Sequence, residues 1–207
     1  MGLDIYCYPG TTILRNKFDI QDERELKATE ARVAALALFV LEDEPLQGPM
    51  DEGRLRATHG AIFSDIYVWA GTYRENTGRM TKGREAGYQV TYGDSQYVPG
   101  EMDRIFRELE SQDFLDGLVI GEFAERLTYF YSEIDSTHPF RDGNSRTVRK
   151  FTADLALAAG YALDWEPVGS TRQSRNSLYV ARDYAFQRRE YRRLKDIIRT
   201  NLSLLQP

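Results

Sequence analysis

Residues 138–149 read His138-Pro139-Phe140-Arg141-Asp142-Gly143-Asn144-Ser145-Arg146-Thr147-Val148-Arg149, and the rest of the chain is organised around them. The stretch follows one apolar helical pattern and opens another, so it is a loop running into a helix N-terminus. Gly143 and Asn144 suit a turn in which backbone N–H groups converge. A nest of that kind at a helix start binds anions. Arg146 and Arg149 are three apart and share a helix face. Cations in a first turn oppose the helix dipole, a conflict that a bound polyanion removes; ion pairs to neighbouring helices are the plainer alternative. Asp142 is either a turn-former before Gly143 or an oxygen ligand for Mg²⁺ carried by phosphates. His138 is one of two histidines and either bonds the loop or takes a proton near neutral pH. Phe140 pins the loop into the core. Base, metal ligand, anion nest and two arginines together describe phosphoryl or nucleotidyl chemistry.

Working outward, the helix before the loop spans 118–134, with Ile120, Phe123, Leu127, Phe130 and Ile134 at 3–4 spacing. It delivers His138 from a buried anchor. The helix after it runs from Asn144 to Ala159, burying Val148, Phe151, Leu155 and Ala158, with Gly160 as its C-cap. Upstream, Asp22 caps a helix through about Leu41, with Val33, Leu36, Ala37 and Val40 turned inward. Pro45, Gly48 and Pro49 break the pattern. A second helix carries Leu55, Ile62, Phe63, Ile66 and Trp69 on one stripe and ends at Trp69-Ala70-Gly71; His59 beside that stripe reads as structural. Residues 74–92 are rich in Gly, Thr, Arg and Tyr, and the alternation in Tyr88-Gln89-Val90-Thr91-Tyr92 predicts a β-hairpin or strand-loop, with a plain connecting loop as the alternative. Pro99 to Glu110 is a further helix. Tyr161 to Trp165 is a short return segment, and a last helical region covers about Ser177 to Leu202, facing Leu178, Ala185, Tyr191, Leu194 and Ile198 inward. Asn176 at its start is a helix cap or a contact to a base.

Composition bounds the class. At 207 residues, 42% hydrophobic and 29% charged, the chain is one globular domain able to bury a proper core. Cys7 is its one cysteine, which excludes an internal disulfide and fits a reducing cytosol. The N-terminus lacks a signal-peptide pattern, and the longest apolar run, Ala34 to Leu41, is too short to span a bilayer. A net charge of −5 excludes a chain-wide nucleic-acid footprint. Locally, Arg172, Arg175, Arg182, Arg188, Arg189, Arg192, Arg193, Lys195 and Arg199 crowd the last segment. These are a solvated helix face or a dock for an acidic partner or phosphate-rich ligand.

The central stretch resembles the signature of Fic-domain proteins of the Fic/Doc superfamily, His-Pro-Phe-x-(Asp/Glu)-Gly-Asn-Gly-Arg-x-x-Arg. It matches at His138, Pro139, Phe140, Asp142, Gly143, Asn144, Arg146 and Arg149 and departs at Ser145, where the family carries a second glycine. Tyr8-Pro9-Gly10-Thr11-Thr12 also resembles the N-terminal arm of short bacterial Fic proteins, and Met80-Thr81-Lys82-Gly83 resembles the family's Ile-Ser-Lys-Gly.

The resemblance implies a mainly α, Fic-type helical bundle with a small β-hairpin flap over the active site. The expected layout is a single domain over 1–207: an arm at 1–20, the flap at 74–92, the active-site loop and helix start at 138–149, and a C-terminal helical region at 171–207. It implies a protein adenylyltransferase that moves AMP from ATP to a Tyr, Thr or Ser hydroxyl of a target protein. His138 is then the general base and Asp142 the Mg²⁺ ligand. Gly143, Asn144 and Ser145 form the anion hole, Arg146 and Arg149 hold the β- and γ-phosphates, and Lys82 and Gly83 belong to the flap side of the nucleotide site. The flap would pair with an extended piece of target, and its Arg84 to Val90 segment would help choose it. The Doc branch carries lysine at the place of Ser145 and transfers a phosphoryl group, so serine sits nearer the adenylylating pattern. The competing readings are a phosphotransferase or other nucleotide-derived transferase, and an inactive binding module.

Many Fic proteins silence themselves through (Ser/Thr)-x-x-x-Glu-(Gly/Asn). Glu52-Gly53 has Gly48 four residues before the glutamate, and Glu75-Asn76 has Gly71, so neither fits. The expectation is therefore a separate small antitoxin. Related proteins imply a topoisomerase subunit or a small GTPase as target, with no direct nucleic-acid or membrane partner. The expected compartment is the bacterial cytoplasm, or a host cell if the chain is part of a longer effector.

Overall fold

A computed structural model describes residues 4–84 and 87–205. Its helices are α1 (Glu23–Asp43), α2 (Glu52–Phe63), α3 (Val98–Ser111), α4 (Ile120–Thr137), α5 (Asn144–Ala158), the single turn α6 (Glu166–Gly169), α7 (Arg172–Arg188) and α8 (Arg192–Thr200). Two antiparallel pairs complete it: β1 (Arg79–Gly83) with β2 (Gln89–Asp94), and β3 (Tyr161–Leu163) with β4 (Leu202–Leu204). The mainly helical bundle with a small hairpin is the expected class. Positions 1–3 of the arm, 85–86 of the hairpin and 206–207 lie outside the described residues, so the expectation that Arg84 to Val90 selects the target falls partly outside them too.

Local chemistry places the starts well. Asp22 accepts from the Glu25 N–H at 2.8 Å and begins α1 as expected, and Asp51 does the same for α2 through Arg54. Pro99 sits in the first turn of α3, where its missing N–H costs nothing. α4 is the central rod: Phe123, Leu127, Phe130, Tyr131 and Ile134 are fully buried among α3, α5, α7 and α8.

Four expectations need correction. The second helix ends at Phe63, not at Trp69-Ala70-Gly71. Apolar residues at 62, 63, 66, 67 and 69 keep a helical spacing, but spacing does not fix where a helix stops. Turns after Phe63 bury Ile66, Tyr67 and Trp69 against the arm and α1. On α1 the inward face is set by Leu26, Ala34 and Leu41, whereas Leu36 is 66% and Val40 46% exposed. Residues 34–41 are apolar all round, so spacing alone cannot select a face. The last helical region is two helices broken at Arg189, whose φ is +54°, and Tyr161 begins a strand that pairs with 202–204 rather than a free return.

Candidate active site

α4 stops at His138, which is left-handed (φ +52°, ψ +60°). That turn sends the chain across the bundle, and Phe140 enters the core as the plug expected of it. Asn144 closes the loop: its Oδ1 accepts from the Phe140 N–H at 2.9 Å and its Nδ2 donates to the Phe140 carbonyl at 2.8 Å. The Asn144 side chain thus faces the core, leaving only its backbone to the cavity. Gly143 begins α5 at φ +78°, and a Cβ there would lie 2.3 Å from the Phe63 ring. No other residue fits. Ser145 lies inside α5 with negative φ, so its side chain is accommodated.

His59 holds the loop from beneath, as the structural histidine expected. It is fully buried, stacks on Phe140 at 3.9 Å, accepts from the Gly71 N–H at 2.8 Å through Nδ1 and donates to the Asp142 carbonyl at 3.1 Å through Nε2. Burial pulls its pKa down to about 4, so it is neutral at pH 7. Arg74 holds the loop from above. Its guanidinium donates to the carbonyls of His138 (2.7 Å), Gly78 (3.0 Å) and Gly93 (2.7 Å), and its N–H donates to the Pro139 carbonyl at 2.8 Å.

A cleft of about 570 Å³ opens over this loop, between the β1–β2 hairpin and α7. All the residues singled out in the sequence line it: His138, Asp142, Gly143, Asn144, Ser145, Arg146, Arg149, Lys82 and Gly83. His138 is only 3% exposed, and neither ring nitrogen has a hydrogen-bond partner among the described residues. Tyr92 of β2 stacks on its ring at 3.8 Å. Burial first, and then the charges of Lys82, Arg182, Arg74 and Arg84, push its pKa well below the ordinary histidine value. The imidazole is therefore neutral near pH 7 and able to accept a proton.

The backbone N–H groups of Asn144 and Ser145 have no acceptor among the described residues. The Gly143 N–H is engaged by the Asp142 carboxylate at 2.7 Å. That carboxylate also meets Lys82 at 3.5 Å. Burial works against its ionisation, but Lys82, the Gly143 N–H and Arg146 outweigh that and hold its pKa below the usual carboxylate range. The two motif arginines differ. Arg146 pairs with Glu30 of α1, which also accepts from the Tyr67 hydroxyl, and lies over the Phe63 ring at 4.6 Å. Arg149 bonds only the Ser145 carbonyl, at 3.2 Å, and forms no ion pair among the described residues. A cation this enclosed without a counter-charge is a strong anion site.

α7 supplies what the sequence reading missed. Arg182 is 4% exposed, donates through Nε to Asp135 at 2.7 Å and through Nη2 to the other oxygen of the same carboxylate, and through Nη1 to the Ser145 hydroxyl at 3.1 Å. Asp183 accepts from Arg84 at 2.7 and 2.8 Å and from the Tyr88 hydroxyl at 2.6 Å, tying the hairpin to α7. The basic run is thus not one face. Arg182 is buried, Arg172 and Arg175 line the cleft, and Arg189, Arg193 and Lys195 pair with Glu133, Glu190 and Glu125. A signal was present: 182 falls with Leu178, Ala181 and Ala185 on the inward face, where a charge needs a partner. Asn176 lies within α7 on the cleft wall and is not its cap, a place taken by Thr171.

One carboxylate facing a cleft with an anion nest fits a Mg²⁺ ion carried in by phosphates. Among the described residues no group of three His, Cys, Asp or Glu could hold a metal without them.

The comparisons with known proteins agree with this geometry. The chain is 33% identical over 174 residues to the "Probable protein adenylyltransferase Fic" of Escherichia coli, covering 81% of this chain and 79% of that one. It is 32% identical to the protein adenylyltransferase VbhT of Bartonella schoenbuchensis over 84% of this chain, which is 35% of that longer protein. Its fold superposes with a TM-score of 0.83, at 26% identity and 97% and 95% coverage, on the N-terminal Fic domain of a VirB-translocated Bep effector protein from Bartonella quintana with bound ADP. The family model described as Fic/DOC matches residues 49–156, from the entry to α2 through the motif helix. By its motif, its hairpin and these likenesses, the chain belongs to the Fic/DOC family.

Proposed function

We propose that this chain transfers AMP from ATP to a hydroxyl of a target protein. The observation that carries the reading is a neutral, buried His138 with unpartnered ring nitrogens, in one cleft with the Asn144 and Ser145 N–H groups, which have no acceptor among the described residues, and with Arg149, which has no ion pair among them. In the reaction the target oxygen attacks the α-phosphorus in line, and the bond to the α–β bridging oxygen breaks. The target's proton passes to His138, and pyrophosphate leaves. The N–H groups at the start of α5 meet the developing charge, and Arg146 and Arg149 hold the departing phosphates. Asp142 would hold a Mg²⁺ ion, which supplies further charge stabilisation when bound; Lys82 contacts the same carboxylate from the flap. The exposed strand edge of the hairpin is the natural seat for an extended piece of target.

Arg149 without a carboxylate, together with two Glu-Gly/Asn pairs lacking Ser or Thr four residues earlier, supports a small separate antitoxin that covers this arginine. The likeness to the translocated Bartonella effectors supports delivery into a host cell as one setting, and a role as a cytoplasmic toxin as the other. A topoisomerase subunit and a small GTPase are the target classes that go with these two settings. No described helix is long and apolar enough to cross a membrane.

The test uses purified protein, Mg²⁺, lysate and ATP labelled at the α or the γ phosphate. Label entering a protein band only from α-labelled ATP, and lost in His138→Ala, establishes adenylylation. Label from γ alone would replace it with the phosphotransferase reading.

A further inference from the structure

Ser145 stands where the family signature carries glycine, and its hydroxyl is not idle. Its hydrogen-bond partner among the described residues is Nη1 of Arg182, at 3.1 Å. A guanidinium has only donors, so the Ser145 oxygen must accept, and its own proton must point elsewhere. No acceptor for that proton exists among the described residues. Ser145 lines the same cleft as Arg149 and His138, and His138 is a buried side chain whose ring nitrogens are likewise unpartnered. Arg182 cannot turn away from this duty: Asp135, on α4 three residues before His138, grips it through both carboxylate oxygens, and both members of that pair are buried, while Ser145 is half-buried at the cleft wall. Donating to a hydroxyl oxygen strengthens the hydroxyl as a donor in its turn.

We propose that the Ser145 hydroxyl is an additional hydrogen-bond donor to the phosphates of a bound nucleotide, oriented and polarised by the Asp135–Arg182 pair. The inference rests on the nucleotide reading above and adds to it a side-chain contact that a glycine cannot make. It also gives Arg182 a place in the site as a positioning residue acting through Ser145. Because the hydroxyl addresses phosphate and not the nucleoside, its removal discriminates between ligands that share a base but differ in phosphate.

Calorimetry on the full chain with ADP, and separately with adenosine, in magnesium-containing buffer tests this. Ser145→Ala and Ser145→Gly are expected to weaken ADP binding about tenfold and to leave adenosine within about twofold, whereas Ser145→Thr, which keeps the hydroxyl, stays near the parent. Arg182→Lys, checked for folding by thermal melting, is expected to weaken ADP binding as well. Adding Ser145→Ala to it should then cost nothing further, since the two act as one unit. ADP affinity unchanged in both the alanine and the glycine variants overturns the proposal while the nucleotide reading stands. Equal weakening for ADP and adenosine also overturns it, since the hydroxyl would then be serving the fold. A parent chain that binds neither ligand removes the nucleotide reading, and the proposal with it.

Discussion

The loop 138–149 and helix α7 face each other across one cleft, yet they carry different kinds of information. The loop holds its groups locally: a histidine, a carboxylate, a nest and two arginines lie within twelve consecutive residues, and the turn that assembles them is written in Gly143 and Asn144. α7 holds none of its role locally. Arg182 and Asp183 matter because they meet Asp135, Ser145, Arg84 and Tyr88, partners 37 to 99 residues away along the chain. The lesson is that reacting groups are read from spacing, while the groups that aim them are read only from packing.

Removing the loop's histidine, the base of the proposed reaction, should break the symmetry of that comparison most sharply. His138→Ala is expected to lower the rate of AMP transfer about 10³-fold with nucleotide affinity little changed, measured by label incorporation and calorimetry. Next comes the loop's own geometry. Gly143→Ala places a methyl against Phe63 and forces a left-handed backbone on alanine, and should cost about 3 kcal/mol in urea unfolding. On the other wall, Asp183→Asn weakens the tie between hairpin and α7 without touching the loop. Amide hydrogen exchange in 79–94 is expected to speed up about tenfold while the amides of α5 keep their protection. Equal acceleration in both would mean that the two walls are one cooperative unit.

A last effect concerns pH and needs no change of sequence. His59 and His138 are both depressed below the value of an unfolded histidine, by burial above all. Between about pH 6.5 and 4 the unfolded chain therefore binds protons that the native chain refuses, and stability falls as pH falls. The expected slope is about 1.4 kcal/mol per pH unit for each histidine. His138→Ala should roughly halve it. A slope unchanged in that variant would show that His138 is not depressed in the folded protein.

How much was legible follows the same division. Asp22 as a cap, the helix that delivers His138, the hairpin after Trp69 and every cleft-lining motif residue could be read because each is specified by neighbours in sequence. The face of α1 could not, since residues 34–41 are apolar on all sides and only the arm and the Phe63–Trp69 turns select Ala34 and Leu41. The end of α2 was misplaced because Ile66 and Trp69 continue a helical spacing that the chain abandons in order to bury Tyr67 as well. Glu30 is a similar case. On α1 it looks like one more surface acid, and only the fold sets it against Arg146 and Tyr67.

Arg74 has a mechanical consequence. One guanidinium grips the carbonyls of Gly78 and Gly93, at the two roots of the hairpin, together with the carbonyl of His138. The hairpin is clamped at its base to the very residue it covers, and farther out its described residues are tied through Lys82 to Asp142 and through Arg84 and Tyr88 to Asp183. Arg74 works as a linchpin: whatever presses on the strand pair is carried at its root by one side chain that also fixes the backbone of the histidine.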